Sequence, residues 1–298
     1  MEAMSRPLGI AGVQMAVVPA DPKATVEKLA DVVVQIVRNF PWVDLILGHE
    51  LSVSALVQFV PGAAEPTEVA EPIPGPLTER LCERAASARR WLVPGSMWER
   101  NGDRIHNTAV VISPDGEIVA RYRKVFPWLP YEAGISPGEE FCVFDIPGKG
   151  RIGLAICYDT WFPEVCRTLA WMGAEVILRP TMTPTSDREL ELVTSRANAI
   201  FNQCYVVDLN GVGPWGGGRS VIVDPDGRVL QQAGERETLV TEILDLEHVS
   251  RTREYGTVGL CQTWKQLRDT PVAFPPYGAG IRPGPLLESL GPLVLRGR

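Results

Sequence analysis

Runs of apolar residues separated by short polar breaks predict strands and helices in turn along the first part of the chain. Leu8 to Met15 and Val43 to Gly48 are compact apolar runs typical of buried strands. Between Ala24 and Val37 the apolar positions fall largely on one face of a helix. A helix over Leu77 to Arg90 and a strand over Trp91 to Met97 follow, so the predicted order is β-α-β-α-β.

The second half of the chain repeats this order. Its predicted elements are the strand Arg151–Ile156, the helix Phe162–Met172, the strand Glu175–Arg179, the helix Asp187–Asn202 and the strand Cys204–Leu209. Each half then closes in a hairpin around Pro-Asp-Gly, a sequence with strong turn chemistry. The segment Val110–Val119 matches Val221–Leu230 in pattern, which favours two similar halves over chance recurrence of a common turn.

Units of βαβ type that end in hairpins predict an α/β fold with two mixed sheets, each covered by helices on its outer face. This is a four-layer α-β-β-α sandwich, and we expect it to occupy residues 1–250. From Arg251 to Arg298 the chain is rich in Pro, Gly and aromatic residues and shows no sustained period. We therefore expect residues 251–298 to form an irregular tail that docks on the domain or on a neighbouring subunit.

Composition narrows the possible partners. The 298 residues include 36 acidic and 29 basic side chains, a net charge of −7, which is the wrong sign for tracking a phosphate backbone, so we expect no nucleic acid partner. The longest uncharged stretch, Leu51 to Ala64, is too short and too polar to cross a bilayer, so we expect no membrane partner. Gln14 interrupts the apolar segment Leu8 to Ala20, which argues against a signal sequence and favours a cytoplasmic location.

Metal and disulfide chemistry have little support. The six cysteines include no C-x-x-C pair, and the three histidines, His49, His106 and His248, form no H-E-x-x-H motif. Gly216–Gly218 lacks the spacing of a phosphate-binding loop. We expect no metal and no cofactor.

Three polar residues follow predicted strands, at the end of a sheet where α/β proteins place ligands. Cys157 stands at a strand-to-helix elbow, which exposes a nucleophile and turns backbone N–H groups toward a ligand. Glu50 follows the strand that ends at Gly48, and Lys124 lies at the exit of a hairpin strand. Each has an ordinary structural alternative: a small buried thiol, a surface glutamate and an edge-strand lysine.

Three sequence blocks carry a resemblance to a known family. Gly48-His-Glu50, the segment Arg121–Glu132 and the segment Ile156–Glu164 resemble the motif blocks of the nitrilase superfamily of carbon–nitrogen hydrolases, and the resemblance spans roughly Leu8–Leu244. It implies the α-β-β-α sandwich, at least a homodimer and a Glu-Lys-Cys triad, to which a further glutamate is added. The matching residues here are Glu50, Lys124, Cys157 and Glu132.

The residues of two of these blocks resemble those of the aliphatic amidase and formamidase branch. Lys124–Glu132 fits that branch, and Cys157-Tyr-Asp replaces the Cys-Trp-Glu typical of nitrilases. The resemblance implies a small-molecule amide substrate, hydrolysed to carboxylate and ammonia through a cysteine thioester. His49 departs from it by replacing the usual proline, and Leu51 stands where aliphatic amidases have tyrosine. The candidate substrate-binding residues, from this match or from adjacency to the motifs, are Trp128, Tyr131, Tyr158, Thr181 and Met182.

The chemistry requires the pKa values of thiol and carboxyl to approach each other. Unperturbed, proton transfer from Cys157 to Glu50 is uphill by about 4 units, close to 6 kcal/mol. We expect burial to raise the pKa of Glu50 and Lys124 to favour the thiolate, while Lys124 also stabilises the oxyanion and Glu132 holds the lysine and the amide NH₂. Three alternatives stay open: a nitrilase or N-carbamoyl amide hydrolase with the same triad, a catalytically silent oligomeric interaction protein, and a cysteine-histidine protease.

Overall fold

A computed structural model describes residues 5–56, 61–62 and 64–274. In chain order the first half contains β1 (Pro7–Gln14), α1 (Pro22–Asn39), β2 (Leu45–Leu47), α2 (Pro66–Val69), α3 (Pro76–Ala88), β3 (Trp91–Val93), β4 (Ser96–Asn101), β5 (Arg104–Ile112) and β6 (Ile118–Arg123). The second half contains β7 (Cys142–Ile146), β8 (Gly150–Leu154), a 3-10 turn (Cys157–Trp161), α4 (Pro163–Trp171), β9 (Val176–Thr181), α5 (Asp187–Asn202), β10 (Tyr205–Asn210), β11 (Val212–Gly213), β12 (Gly216–Gly217), β13 (Val221–Val223), β14 (Val229–Gln232), β15 (Thr238–Asp245), α6 (Leu246–Tyr255) and α7 (Thr263–Asp269).

The long strands form two mixed sheets of the same design. The first has the order β15-β1-β2-β3-β5-β4, with β6 also paired to β5, and the second has the order β14-β13-β10-β9-β8-β7. In each sheet three parallel strands, β1-β2-β3 or β8-β9-β10, are followed by antiparallel ones. The two hairpin turns close with equivalent bonds, from Gly116 N–H to Ser113 O and from Gly227 N–H to Asp224 O, both 2.9 Å. This repetition agrees with two similar halves.

Alternation along the strands divides the core into layers. Ile10 on one face of β1 packs with Leu178 of β9 in the core between the sheets. Val13, on the opposite face of β1, packs with Leu29 of α1, and Ile177 packs against α4 and α5. Side chains of a strand point alternately to its two faces, so each sheet is buried on both sides. The predicted four-layer α-β-β-α sandwich is confirmed. No helix in the part of the chain described here is both long and apolar enough to span a membrane.

Three details of the sheets differ from the prediction. The single strand expected over Trp91 to Met97 is divided into β3 and β4 at Gly95, whose φ of +100° breaks the strand geometry. Strands β7 and β15 were not predicted. Strand β15 pairs with β1 along its whole length, but only Val240 and Leu244 of its eight residues are buried, so its apolar pattern is weak.

Two helices occupy part of the region predicted to be an irregular tail from Arg251 onward. Helix α6 extends to Tyr255, and α7 is a separate short helix. Trp264 of α7 donates from Nε1 to Asn202 O at 3.3 Å, and its ring lies 4.5 Å from the guanidinium of Arg167. Helix α7 contains no fully buried residue, so it has no apolar period to detect. Residues 275–298 lie outside the described residues, and docking of the tail on a neighbouring subunit stays a prediction.

Candidate active site

Cys157 occupies a strained turn between β8 and α4. Its φ is +45°, a left-handed conformation that a residue with a side chain adopts only where its surroundings enforce it. Asp159 supports the turn by accepting the N–H of Ile156 at 2.9 Å, and Arg179 donates from Nε to the Cys157 carbonyl at 3.0 Å. The elbow predicted from the sequence is therefore present, and Cys157 retains 7% of its surface exposed.

Glu50 follows β2 in a turn pressed against the neighbouring strand connection. A Cβ on Gly48 would lie 2.2 Å from Pro94 O, so only glycine allows this close approach. The N–H of Glu50 donates to Thr181 O at 3.3 Å, which joins the turn to β9 of the second sheet. The carboxyl group is thereby placed between the two sheets, where Glu50 is 4% exposed.

His49, the departure from the family pattern, is completely buried. Burial lowers its pKa to about 4, so the imidazole is neutral near pH 7. Its Nδ1 lies 2.9 Å from the carbonyl oxygen of Glu50, and because a carbonyl only accepts, Nδ1 carries the proton. The histidine therefore fixes the backbone of this turn by a hydrogen bond, at a position where proline would restrict it through its ring.

Lys124 connects the two glutamates. Its Nζ donates to Glu50 Oε1 at 2.7 Å and to Glu132 Oε2 at 2.6 Å. Asn107 of β5 forms a second bridge, from Nδ2 to Glu50 Oε1 at 3.0 Å and to Glu132 Oε1 at 2.8 Å. The N–H of Trp128 donates to Glu132 Oε2 at 2.5 Å. The result is a closed ring of four buried side chains, three of which were predicted from the sequence.

The direction of the pKa shifts explains the resting charges. Burial raises the pKa of Glu50, and Lys124 only partly opposes it. Burial alone would lower the pKa of Lys124, but the neighbouring Glu132 and Glu50 carboxylates outweigh this and hold it well above its ordinary value. Burial and Glu50 also raise the pKa of the Cys157 thiol well above its ordinary value, despite Lys124. Lys124 favours the thiolate, as expected, but burial and Glu50 outweigh it, so the thiol is protonated near pH 7.

Asp159 joins the loop that carries the lysine to the turn that carries the cysteine. Besides Ile156 N–H, its carboxylate accepts the Tyr122 hydroxyl at 2.7 Å and the N–H of Phe126 at 2.9 Å. The residue is completely buried, and burial raises its pKa to about 6. Three segments that meet on one carboxylate cannot move independently, so Asp159 holds the Lys124 loop and the Cys157 turn in a fixed relation.

A buried ion network lies next to Cys157, and it was not predicted from the sequence. The guanidinium of Arg179 donates to Asp208 Oδ2 at 2.9 Å and to Glu191 Oε1 at 3.0 Å. Arg188 donates to the same two carboxylates, at 2.8 and 3.1 Å. The detectable signal was charge within apolar strands: Arg179 interrupts β9 and Asp208 interrupts β10. A buried charge requires a partner.

The predicted substrate-binding residues occupy different environments. The rings of Trp128 and Tyr131 stack with centroids 4.5 Å apart, and Tyr131 is half exposed. Tyr158 meets Phe162 edge-on at 5.3 Å. Met182 is buried in a separate apolar cluster beside Leu51.

The side chain of Thr181 is fully buried, and its hydroxyl donates to the carbonyl of Arg179 at 3.4 Å. Two residues further on, the hydroxyl of Thr183 lies 4.0 Å from Cys157 Sγ and donates to Glu191 Oε1 at 3.0 Å. Thr183 is thus the threonine that the structure places at the thiol.

One group of side chains far from this site has potential metal ligands. Ligand atoms of Asp224, Asp226 and His248 lie within 4.8 Å of one another. Asp224 Oδ1 accepts the N–H groups of Asp226 and Arg228 at 2.9 and 2.8 Å, and His248 Nε2 lies 3.0 Å from Asp226 Oδ2. The bonds of Asp224 close the second hairpin turn, and the bond of His248 joins α6 to that turn, so the cluster has a structural explanation.

An α-β-β-α sandwich with a cysteine, a lysine and two glutamates meeting between its sheets defines a class, that of hydrolases with a cysteine nucleophile. The family described as carbon-nitrogen hydrolase matches residues 9–254. The chain therefore belongs to the carbon–nitrogen hydrolase family, in agreement with the resemblance to the nitrilase superfamily.

Individual relatives place the chain among amidases. Over 211 residues, 65% of this chain and 75% of the relative, it is 33% identical to omega-amidase NIT2 of Homo sapiens. It is 36% identical to a formamidase of Bacillus cereus over 143 residues, which are 47% of this chain and 43% of that protein.

Solved structures agree. Nit3 of Saccharomyces cerevisiae superposes with a TM-score of 0.73 at 25% identity, covering 84% of this chain and 94% of that one. An active-site variant of the amidase from Nesterenkonia sp. AN1 in complex with butyramide superposes with a TM-score of 0.72 at 25% identity, covering 84% and 95%. The protein is an amidase-type enzyme acting on non-peptide C–N bonds.

Proposed function

We propose that the protein hydrolyses a small carboxamide to a carboxylate and ammonia through a thioester on Cys157. The observation that carries this proposal is the bridge of Lys124 Nζ between Glu50 and Glu132, beside a protonated, buried thiol. An amide carbonyl is a poor electrophile, so two easier steps through a covalent intermediate replace one difficult step.

In the first step, Cys157 Sγ attacks the carbonyl carbon of the amide while Glu50 takes the thiol proton. The new C–S bond forms as the carbonyl π electrons move onto oxygen. Because the pKa of the thiol is raised, proton removal accompanies the attack instead of preceding it. The raised pKa of Glu50 makes it a stronger base than an exposed carboxylate.

The negative oxygen is then stabilised by Lys124 and by a backbone N–H beside Cys157. Collapse of the intermediate breaks the C–N bond, and the proton held by Glu50 passes to the departing nitrogen to release ammonia. Water attacks the thioester while Glu50 accepts a proton from it. The C–S bond breaks and the proton returns to sulfur, so the enzyme is regenerated.

Glu132 has a supporting role in this scheme. Together with Glu50 it keeps Lys124 charged and aimed at the reacting oxygen, while Asn107 holds the two glutamates in place. The carboxylate of Glu132 is also available to an amide NH₂. The stacked pair Trp128 and Tyr131 adjoins this glutamate and offers an apolar wall to a short acyl chain. An amide is favoured over a nitrile because the block Cys157-Tyr-Asp and the amidase relatives agree.

Ammonia release from propionamide, propionitrile and an N-carbamoyl amino acid tests the substrate class. We expect turnover of the amide, and loss of turnover in Cys157→Ala with an unchanged melting curve. Cys261→Ala, which removes an exposed thiol far from the site, is the matched control. Turnover of the nitrile or the carbamoyl compound in place of the amide contradicts the substrate proposal. An active Cys157→Ala variant contradicts the assignment of Cys157 as the nucleophile. Inactivity of the wild type on all three compounds contradicts the proposed function and supports the alternative of a catalytically silent oligomeric interaction protein.

We also propose that the protein forms a homodimer through α4 and α5. These outer helices expose large apolar side chains: Trp171 and Val193 at 65%, Phe201 at 61% and Leu190 at 52%. An apolar face of this kind marks an interaction surface, and self-association of one face fits a twofold dimer. Sedimentation equilibrium on Val193→Glu should show a monomer, whereas Val34→Glu on α1 should leave the dimer intact. A monomeric wild type refutes the proposal.

A further inference from the structure

The carbonyl oxygen of Cys157 accepts hydrogen bonds from two buried side chains. Arg179 Nε donates to it at 3.0 Å and Thr160 Oγ1 at 3.1 Å. Arg179 is completely buried and Thr160 is 4% exposed. Because this carbonyl oxygen accepts hydrogen bonds from both a guanidinium and a hydroxyl, the orientation of the C=O bond is fixed.

Arg179 itself has no freedom to turn. Its two terminal nitrogens donate to Asp208 and Glu191, and Arg188 binds both carboxylates from the other side. Rotation of the guanidinium would break two buried charge-assisted hydrogen bonds, which are the stronger kind. Its Nε is therefore a fixed point from which the Cys157 carbonyl is held.

That carbonyl belongs to the same planar peptide group as the N–H of Tyr158. In a trans peptide the C=O and N–H point in opposite directions, so fixing the oxygen on the Arg179 side directs the N–H away from it. Tyr158 also lies in the first turn of the 3-10 segment, where N–H groups have no partner within the helix. Donors on the oxygen polarise the peptide and strengthen the opposite N–H as a donor.

We propose that Arg179 and Thr160 are positioning residues that orient and polarise the Tyr158 N–H as an oxyanion donor. The inference rests on the proposed amide hydrolysis and assigns to Arg179 and Thr160 a role in the transition state, while the carboxylates around Arg179 serve only to hold its guanidinium. An N–H used only when negative charge develops contributes to turnover and not to binding of the neutral amide.

Two variants test this, each measured with two reactions. Thr160→Val removes one donor without touching a charge, and Arg179→Lys keeps the charge but cannot reach carbonyl and carboxylates together. We expect kcat for propionamide to fall about 10-fold in Thr160→Val and about 10²-fold in Arg179→Lys, with KM within about twofold of wild type. Deletion of an oxyanion donor lowers kcat by about 10² to 10³, and a displaced donor should lose part of that factor. Alkylation of Cys157 by iodoacetamide forms no oxyanion, so its rate should stay within about twofold.

Two further variants separate this role from mere stability. Thr160→Ser keeps a hydroxyl and should restore kcat. Ser195→Ala removes a 2.8 Å bond to Asp208 within the same network, but has no contact with Cys157 O, and should lower the melting temperature while kcat is unchanged. The proposal is overturned if Thr160→Val keeps the wild-type kcat, or if alkylation slows in parallel with turnover. Thr160→Val decides the outcome if Arg179→Lys does not fold. A wild-type enzyme inactive on amides overturns the proposed function instead.

Discussion

Replacement of Glu132 by glutamine probes the ring of four side chains most directly. The carboxylate accepts from three donors: Lys124 Nζ, Asn107 Nδ2 and Trp128 N–H. Glutamine offers one oxygen and one NH₂ group, so if its oxygen stays with Lys124 and Trp128, its NH₂ faces another NH₂. Asn107 can accept through Oδ1, which has no partner among the described residues, only by turning its own NH₂ away from Glu50.

The cost follows from these contacts. Each hydrogen bond lost to a charged group is worth about 1.5–3 kcal/mol, so we expect kcat to fall by about 10- to 10²-fold. A buried donor left unpaired should lower the free energy of unfolding by about 1–3 kcal/mol. The pKa of Glu50 is raised by burial and, against Lys124, by the Glu132 charge. Removing that charge lowers it, so the acidic limb of the kcat/KM profile should move to lower pH.

Ammonia release from propionamide between about pH 4 and about pH 9 measures both effects, since an acidic limb reports the essential base. Glu139→Gln is the matched control, because Glu139 is exposed and pairs with Arg104 at 3.3 Å, away from the ring. It should leave kcat and the profile unchanged. An acidic limb that stays in place or moves to higher pH in Glu132→Gln would refute the electrostatic reasoning, and wild-type turnover would refute the role of the ring.

Three further predictions concern the scaffold. Burial raises the pKa of Asp159 to about 6, so the native state binds this proton more tightly than the unfolded chain does. The stability that this group contributes is therefore lost as the pH rises from about 4 to above 6. Urea unfolding should show a loss of up to about 3 kcal/mol in wild type and none in Asp159→Asn. In Gly95→Ala the new Cβ would lie 1.9 Å from a backbone oxygen of the turn that carries the proposed base, so this variant should lose most activity. Gly102 also has a positive φ but open space around it, so Gly102→Ala should stay active. Equal effects of the two variants on activity would contradict the steric argument. Arg188→Met leaves two buried carboxylates short of a partner and should lower the free energy of unfolding by about 3–5 kcal/mol. Arg80→Met, at an exposed ion pair, should leave denaturant unfolding almost unchanged, and equal losses in the two variants would contradict the burial argument.

Much of the architecture could be predicted because each of these elements produces a local period of apolar and polar residues. Helix α5 has the predicted bounds Asp187 to Asn202, and α1 covers the predicted apolar face. The repeated Pro-Asp-Gly turns correctly indicated two similar halves. Among the elements that were missed, β7, β15 and α7 are short or mostly exposed, so burial imposes little pattern on them.

The candidate site divides in the same way. Glu50, Lys124 and Cys157 could be named from strand ends and from motif wording, because each motif is contiguous in the chain. Asn107 and Arg179 could not, because a polar residue within an apolar strand shows only that some partner exists. The partners lie far away in sequence: 57 residues separate Asn107 from Glu50, and 22 separate Arg179 from Cys157.

The sequence by itself determined the alternation of strands and helices, the two halves and the candidate reactive groups, since these depend on residues close together in the chain. Only the tertiary structure decided that one lysine bridges two glutamates 82 residues apart, at 50 and 132, and that the thiol keeps its proton. Both depend on burial and on charges brought together from both sheets. Those quantities exist only once the sheets have packed, because desolvation and Coulomb energy depend on distance in space and not on distance along the chain.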